Sequence, residues 1–410
     1  MSALWIAVTR QCVAAAAWCG ALVACAGSSV PPSAQQSPRV PTPAAEPAVN
    51  TRFAAVTESP RPTLAALDDP AERELLSACG EADAALIAVA TQLADRRSDA
   101  SGELDVDTIS YALRAAGAPY VWPRAWLFNG RDGEVEAAKT RMQRWLSSFS
   151  DGGARRCGVL VRHQENTRMS VTAVAVDVLA DLEPLATRAR VGQWIEVSAR
   201  LRVPASEAKL VVLGPRGAPR PVPTSLEGSR VRARFNADAP GAWLVQLLGS
   251  VDGGPRPLLE ALIFAGTEPP RTPTTNQAPG EDTRASDPRV ALYTMVNAAR
   301  VSERGLPLSR DERLEALAQE HAEAMRNARK TAHDTGEGDL VRRLERAGLE
   351  LSAGENVAHA GSAALAQRAL WASPSHRENL LFRGFDVVGI GVAPDADGTL
   401  WVCQIFGSTH

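Results

Sequence analysis

At 410 residues the chain is long enough for two or three domains, and its 45% of apolar residues can fill sizeable cores. Its 44 lysines and arginines stand against 47 aspartates and glutamates, a net charge of −3 without any long basic run. That balance argues against nucleic-acid binding, which usually shows a strongly basic face, and leaves open a local basic patch.

The amino terminus reads as a targeting segment, over 1–24. Arg10 precedes an apolar run from Cys12 to Ala24, shorter than the about 20 residues of a membrane span. The run ends in Leu22-Val23-Ala24-Cys25, which resembles a bacterial lipobox. The resemblance implies cleavage before Cys25 and a diacylglyceryl anchor on its sulfur, detectable as palmitate. An ordinary signal peptide with a chance cysteine is the alternative. Residues 25–63 are dense in Pro, Ala and Ser and cannot bury enough apolar area to offset chain entropy, so they are expected to be a tether. Ala26 is not an inner-membrane retention signal of the enterobacterial kind, which favours the outer membrane. No other segment has the length and apolarity to span a bilayer. In an oxidising envelope Cys79 and Cys157 are expected to pair, a link stabilising by about 4 to 5 kcal/mol in the chain-entropy model.

Three folded segments are expected. The first, 64–167, is mainly helical, with helices over Glu72 to Ala94, Thr108 to Ala116 and Glu134 to Ser147. An aromatic loop, Pro119-Tyr120-Val121-Trp122-Pro123-Arg124-Ala125-Trp126, links the last two. The second, 168–266, changes to short alternating strands separated by Gly-Pro pairs, the pattern of a small antiparallel β-sandwich. It shows no acid/base pair or metal cluster and reads as a spacer or binding module. A Pro- and Thr-rich linker over 267–286 precedes the third, 287–407. There Pro288 starts a helix. Ser309 and Glu312 form a capping box for a second, whose apolar face carries Leu314, Leu317, Ala318, His321, Ala322 and Met325. Further helices cover Gly338 to Ala347 and Ala363 to Trp371. Phe385 to Ala393 and Thr399 to Phe406 alternate around Asp395-Ala396-Asp397-Gly398 as a hairpin. Cys403 sits in the second of these strands as a buried free thiol. The fold class is α+β.

The third segment carries His321-Ala-Glu-Ala-Met325, Ala332-His333, Gly354-Glu355-Asn356-Val357-Ala358 and Ser373-Pro374-Ser375-His376-Arg377-Glu378-Asn379-Leu380. Gly389-Ile390-Gly391-Val392 and Gln404-Ile405-Phe406-Gly407 follow. In that order and spacing these resemble the CAP superfamily of cysteine-rich secretory, antigen 5 and pathogenesis-related proteins. The resemblance covers about 120 residues and implies an α-β-α sandwich around an antiparallel sheet. It also implies a cavity in which His333, His376 and Glu355 can hold a divalent metal such as zinc, with Asn356 and Asn379 close by. A fourth, acidic position of the family falls in Trp371-Ala372-Ser373-Pro374, where no carboxylate stands.

Two imidazoles and a carboxylate could bind zinc with an open water position. Equally, Glu355 and His376 could hydrogen-bond each other and nearby backbone. His321, on an apolar face, reads as a satisfied core histidine, and His359 as exposed. Arg377 and Asn379 read as loop-fixing groups, Asn297 and Arg300 as packing and capping groups. The first segment resembles a decayed copy of the third, with Arg114-Ala-Ala-Gly117 parallel to Arg346-Ala-Gly348. Pro119-Tyr120 stand where Gly-Glu-Asn would, and His163 is out of place. Chance similarity between Ala-rich helices is the alternative.

Three functions remain open: a lipid-anchored module binding an extracellular lipid, glycan or peptide; a metal-dependent hydrolase of peptide or peptidoglycan; and a structural envelope protein. No nucleic-acid partner is expected.

Overall fold

A computed structural model describes residues 67–99, 106–147, 152–164, 167–252, 254–271 and 277–409. The expected signal segment, Cys25 and the tether over 25–63 lie outside the described residues. Among the described residues no helix is long and apolar enough to cross a membrane.

The first segment runs α1 (Pro70–Cys79), β1 (Glu81–Ala82), α2 (Ala84–Asp99), α3 (Val106–Ala115), β2 (Arg124–Arg131), α4 (Val135–Leu146), β3 (Ala154–Gln164) and β4 (Arg168–Val178). The single helix expected over Glu72 to Ala94 is thus two. Gly80, at φ 144°, stops α1, Glu81 and Ala82 pair with Arg156 and Cys157, and Asp83 restarts the helix by accepting the Leu86 N–H at 3.1 Å. The loop expected through Trp126 gives way to β2, paired along its length with β4. Because β4 pairs with both β2 and β3, the boundary expected at 167/168 falls inside this sheet. The expected disulfide is present: Cys79 at the end of α1 is bonded to Cys157 on β3.

The second segment is the expected sandwich. It comprises β5 (Ala180–Leu182), β6 (Arg188–Ala189), β7 (Gln193–Leu201), β8 (Ala208–Leu213), β9 (Arg220–Val222), β10 (Thr224–Glu227), β11 (Arg230–Ala237), β12 (Gly241–Val251) and β13 (Gly254–Ala265). Two sheets, ordered β10-β11-β7-β5 and β6-β13-β12-β8-β9, enclose one core that includes Ile195, Val197, Phe235, Trp243, Leu247 and Ile263. Alternation puts these inward and leaves the intervening polar residues outside.

The third segment runs α5 (Pro288–Ser302), β14 (Ser309–Arg310), α6 (Glu312–Ala328), α7 (Leu340–Arg346), β15 (Ser352–Ala360), α8 (Ala363–Ala372), α9 (Pro374–Leu381), β16 (Val387–Pro394) and β17 (Leu400–Ser408). Ser309 does not cap α6. It lies in β14 and pairs with Val387, while the Asp311 carboxylate receives the N–H groups of Arg313 and Leu314 at 2.9 and 3.1 Å. Asp311 stands directly before Glu312 and brings an ionised acceptor to the first turn, where Ser309 lies two residues too far out. The expected hairpin is present, with Gly398 at φ 84° closing its turn.

The first and third segments share one topology. Their sheets are ordered β1-β3-β4-β2 and β14-β16-β17-β15, each with its first strand parallel to its third and the rest antiparallel. Asp83 N–H bonds the Cys157 carbonyl at 2.9 Å as Asp311 N–H bonds that of Val388 at 3.1 Å. Asp69-Pro70 opens α1 as Asp287-Pro288 opens α5. In this register Arg124-Ala125-Trp126, and not Pro119-Tyr120, occupy the places of Gly354-Glu355-Asn356. One close approach recurs. A Cβ on Gly158 would stand 2.0 Å from the Leu86 carbonyl carbon, and one on Gly389 would stand 2.1 Å from that of Leu314. Each glycine lets a helix lie directly on the sheet.

The sandwich docks on both neighbours. Glu260 on β13 is ion-paired with Arg114 of α3, and its N–H bonds the Pro119 carbonyl at 2.8 Å. Its Oε1 accepts Gln246 Nε2 at 2.7 Å. Gln246, fully buried, also donates to Ser373 Oγ at 3.1 Å and accepts the Ser375 N–H at 3.0 Å, at the start of α9.

Gly158→Ala and Gly389→Ala are each expected to lower unfolding free energy by about 3 kcal/mol, because the displaced atoms are helix backbone. Gly133, with nothing within 4 Å of a Cβ, is the control, and Gly133→Ala should change stability by less than about 0.5 kcal/mol. Urea unfolding of the three variants checks this.

Candidate functional site

Of the three expected cluster residues, His333 and Glu355 are bonded to each other, and the Gly-Glu-Asn triplet of β15 organises their surroundings. Gly354 leaves room for the Asn379 side chain, since a Cβ there would meet its Oδ1 at 2.9 Å. Glu355 points into the core beneath the loop after α6. Asn356 holds α9 by donating to the His376 carbonyl at 3.1 Å and accepting from Asn379 Nδ2 at 2.9 Å. Asn379 also donates to the Glu355 carbonyl at 3.1 Å. Asn356 and Asn379 therefore fix loop and helix, as expected of Asn379. The helix α9 itself, which carries His376, was not among the expected elements.

Both carboxylate oxygens of Glu355 are occupied. Oε1 accepts His333 Nδ1–H at 2.8 Å. Oε2 accepts Arg343 Nη2–H at 2.6 Å, and the Cys403 thiol approaches it at 3.3 Å. Burial raises the Glu355 pKa, but the hydrogen bond and charge of His333 and the fields of Arg343 and His321 outweigh it and bring the value to about 2. Arg343, itself buried, also donates to the carbonyls of His333 at 3.2 Å and Gly338 at 3.3 Å. One ion pair thus sets the path of the loop from His333 to Gly338. Arg343 escaped the sequence reading because an arginine in a helix is usually solvated. A signal exists: it lies on the apolar stripe Leu340, Leu344 and Ala347 at i, i+3, i+4 and i+7.

His376 stands apart from this network. Its residue keeps some accessible surface, but Nδ1 is enclosed and has no hydrogen-bond partner. Burial, then the charge of His333, pushes its pKa down to about 3. The enclosed ring nitrogen, rather than the average exposure of the residue, sets the penalty on the charged form. The hydrogen bond between Glu355 and His376 that the sequence left open is not formed. His321 is the expected satisfied core histidine, bonded to Glu337 and, at 2.9 Å, to the Ala332 carbonyl. His359 is exposed and stacks on Trp401 at 4.0 Å. Cys403 is the expected buried free thiol. Arg300 clamps the carbonyls of Leu306, Leu380, Phe382 and Phe385.

Among the described residues no group of three or more His, Cys, Asp or Glu is arranged to hold a metal ion. With Glu355 bonded on both oxygens, a cation would rest on the imidazoles of His333 and His376 alone. That is one protein ligand fewer than a catalytic zinc site supplies, so the three residues do not fit as a full set. The sandwich also closes over the cluster. A Cβ on Gly254 would stand 3.1 Å from the Cβ of His333, and Lys209 of β8 pairs with Glu378 of α9 at 2.9 Å.

Residues 293–405 match the family model of the cysteine-rich secretory protein family, CAP. No curated protein matches the chain. Among solved structures, the chain is similar to an outer surface protein of Borrelia burgdorferi at 21% identity, over 31% of this chain and 96% of that one, with a TM-score of 0.29. It is similar to an extracellular SCP-domain protein of Bacillus anthracis at 16% identity, over 56% and 88%, TM-score 0.27. A cysteine-rich secretory protein of Staphylococcus aureus follows at 14%, over 57% and 83%, TM-score 0.26. The third segment is a CAP domain.

Acid should unfold this site first. The Glu355 contribution is full above its unfolded pKa of 4.5 and is lost as pH falls toward 2. The His376 contribution runs the same way. The unfolded chain takes up the proton below 6.5 and the folded chain only near 3, so stability falls as pH drops through that window. Glu355→Gln should flatten the loss between pH 4.5 and 2. At pH 7 it should lower stability by about 3 kcal/mol, because Arg343 is left buried without its counter-ion. Urea midpoints measured across that pH range check both.

Proposed function

We propose that this chain is an exported, lipid-anchored envelope protein whose CAP domain binds an extracellular ligand, without catalysing a reaction on it. The observation that carries the binding reading is the double occupancy of Glu355. The one carboxylate at the centre of the cluster is spent on His333 and Arg343, so it is not available as general base or nucleophile. What the site leaves accessible is the partly exposed imidazole of His333, a group suited to hydrogen-bonding a glycan, peptide or lipid headgroup. Export is supported by the Cys79–Cys157 bond, which belongs to an oxidising compartment. The lipobox-like Leu22-Val23-Ala24-Cys25 supports the anchor, and Ala26 the outer membrane.

The enclosed, unpartnered Nδ1 of His376 favours a second reading. In it the protein is a hydrolase of peptide or peptidoglycan, and a divalent cation such as zinc on His333 and His376 would need a third ligand from outside this cluster. Incubating the full chain with purified muropeptides, with and without added zinc, separates the two. Under the binding reading the muropeptides are recovered unchanged. Zinc-dependent products that vanish in His376→Ala would establish the hydrolase instead. Palmitate incorporation should be lost in Cys25→Ser, and incorporation that persists contradicts the anchor.

A further inference from the structure

The outer face of the sheet β10-β11-β7-β5 carries a charge pattern that the fold does not require. On β11, Arg230, Arg232 and Arg234 alternate with buried Val231, Ala233 and Phe235. The three arginines therefore stand in a row at about 7 Å intervals. In the strand register Arg200 of β7 lies between Arg230 of β11 and Asp181 of β5, Glu227 of β10 lies opposite Arg230, and Glu196 of β7 lies opposite Arg234, so the face sets four arginines against three carboxylates. Among the described residues none of these four arginines is ion-paired to a carboxylate, although Glu196 and Glu227 share the face. Beside them Trp194 is 56% exposed, with Arg234 against its ring at 4.8 Å. At the Arg200 and Arg230 end the surface opens into a concavity of about 340 Å³ lined by Leu201, Arg202, Pro204, Gly228 and Ser229. A net charge of −3 for the whole chain makes this cationic face a local feature and not a general one.

We infer that this sandwich face is a binding surface for an acidic polysaccharide, whose regularly spaced carboxylate or phosphate groups engage the arginine row while a sugar ring packs on Trp194. Guanidinium forks match carboxylate and phosphate oxygens in bidentate geometry. The tryptophan supplies a flat apolar surface with a polar edge. A bilayer surface would call for several apolar side chains to insert, and the face has one. Single-stranded nucleic acid would call for a succession of stacking aromatics, which is also lacking here. The inference does not depend on the His333 and His376 site, which the sandwich meets through its other sheet, at Gly254 and Lys209.

The test uses the full chain and an oligogalacturonate as probe, titrated by calorimetry at low and at physiological salt. Binding should saturate and weaken as salt rises. Arg232→Gln/Arg234→Gln should lose about tenfold in affinity or more with an unchanged melting temperature. Trp194→Ala should weaken binding while leaving the salt slope as it was, and neutral maltohexaose should not bind. The inference is overturned if the double variant binds oligogalacturonate like the parent. It is equally overturned if duplex DNA or anionic phosphatidylglycerol vesicles bind the parent as tightly and Trp194→Ala changes nothing, because the face is then an unselective cationic patch.

Discussion

The ion pair between Arg343 and Glu355 is the constraint on which the cleft rests. A carboxylate enclosed in a protein core is unfavourable unless its charge is matched. Here the match comes from a guanidinium on α7, and the same guanidinium gathers the carbonyls of His333 and Gly338. His333 is thereby placed over Glu355, and its ring is oriented by a hydrogen bond to that carboxylate. Asn356, the next residue on β15, faces the other way and ties down α9. Three successive residues thus act on three neighbours: glycine admits Asn379, glutamate sets the loop, asparagine sets the helix.

The sandwich is more than a spacer between two similar sheets. Gln246 has no exposed surface, so its amide must be paired inside the protein. It spans from Glu260, which is bound to the first segment through Arg114, to Ser373 and Ser375 at the head of α9. A polar chain therefore runs from one flanking segment to the other through a single glutamine. Its far end is the helix that bears His376. The sandwich edge at Gly254 also lies against His333, so the cleft belongs jointly to two segments.

Legibility in the sequence followed the strength of the local signal. The six ordered motifs placed the CAP fold and marked His333 and Glu355 as neighbours, but as co-ligands of a metal and not as the hydrogen-bonded pair they form. The cysteines likewise placed the disulfide. What was missed depends on partners far along the chain. The strand β2 looked like a loop because Pro123 and three aromatics hide its alternation, and its ladder partner β4 is some forty residues away. The break between α1 and α2 turns on Gly80 and Asp83, and the pairing of Glu81 and Ala82 with β3 is invisible locally. Glu355 looked like a free ligand because its counter-ion, Arg343, reads as surface charge. The repeated topology, by contrast, was partly visible in Arg114-Ala-Ala-Gly117 and Arg346-Ala-Gly348, where each glycine takes a positive φ, 73° and 65°, to end a helix.

The most direct measurement of the central claim is the protonation of the His376 ring, followed by nitrogen-15 NMR of the full chain labelled at histidine. An enclosed Nδ1 within reach of the charge on His333 predicts that the ring stays neutral as pH falls through 6.5 and charges only near 3. A His376 that titrates near 6.5 in the folded protein would contradict the enclosed cleft and the arrangement built on Arg343 and Glu355.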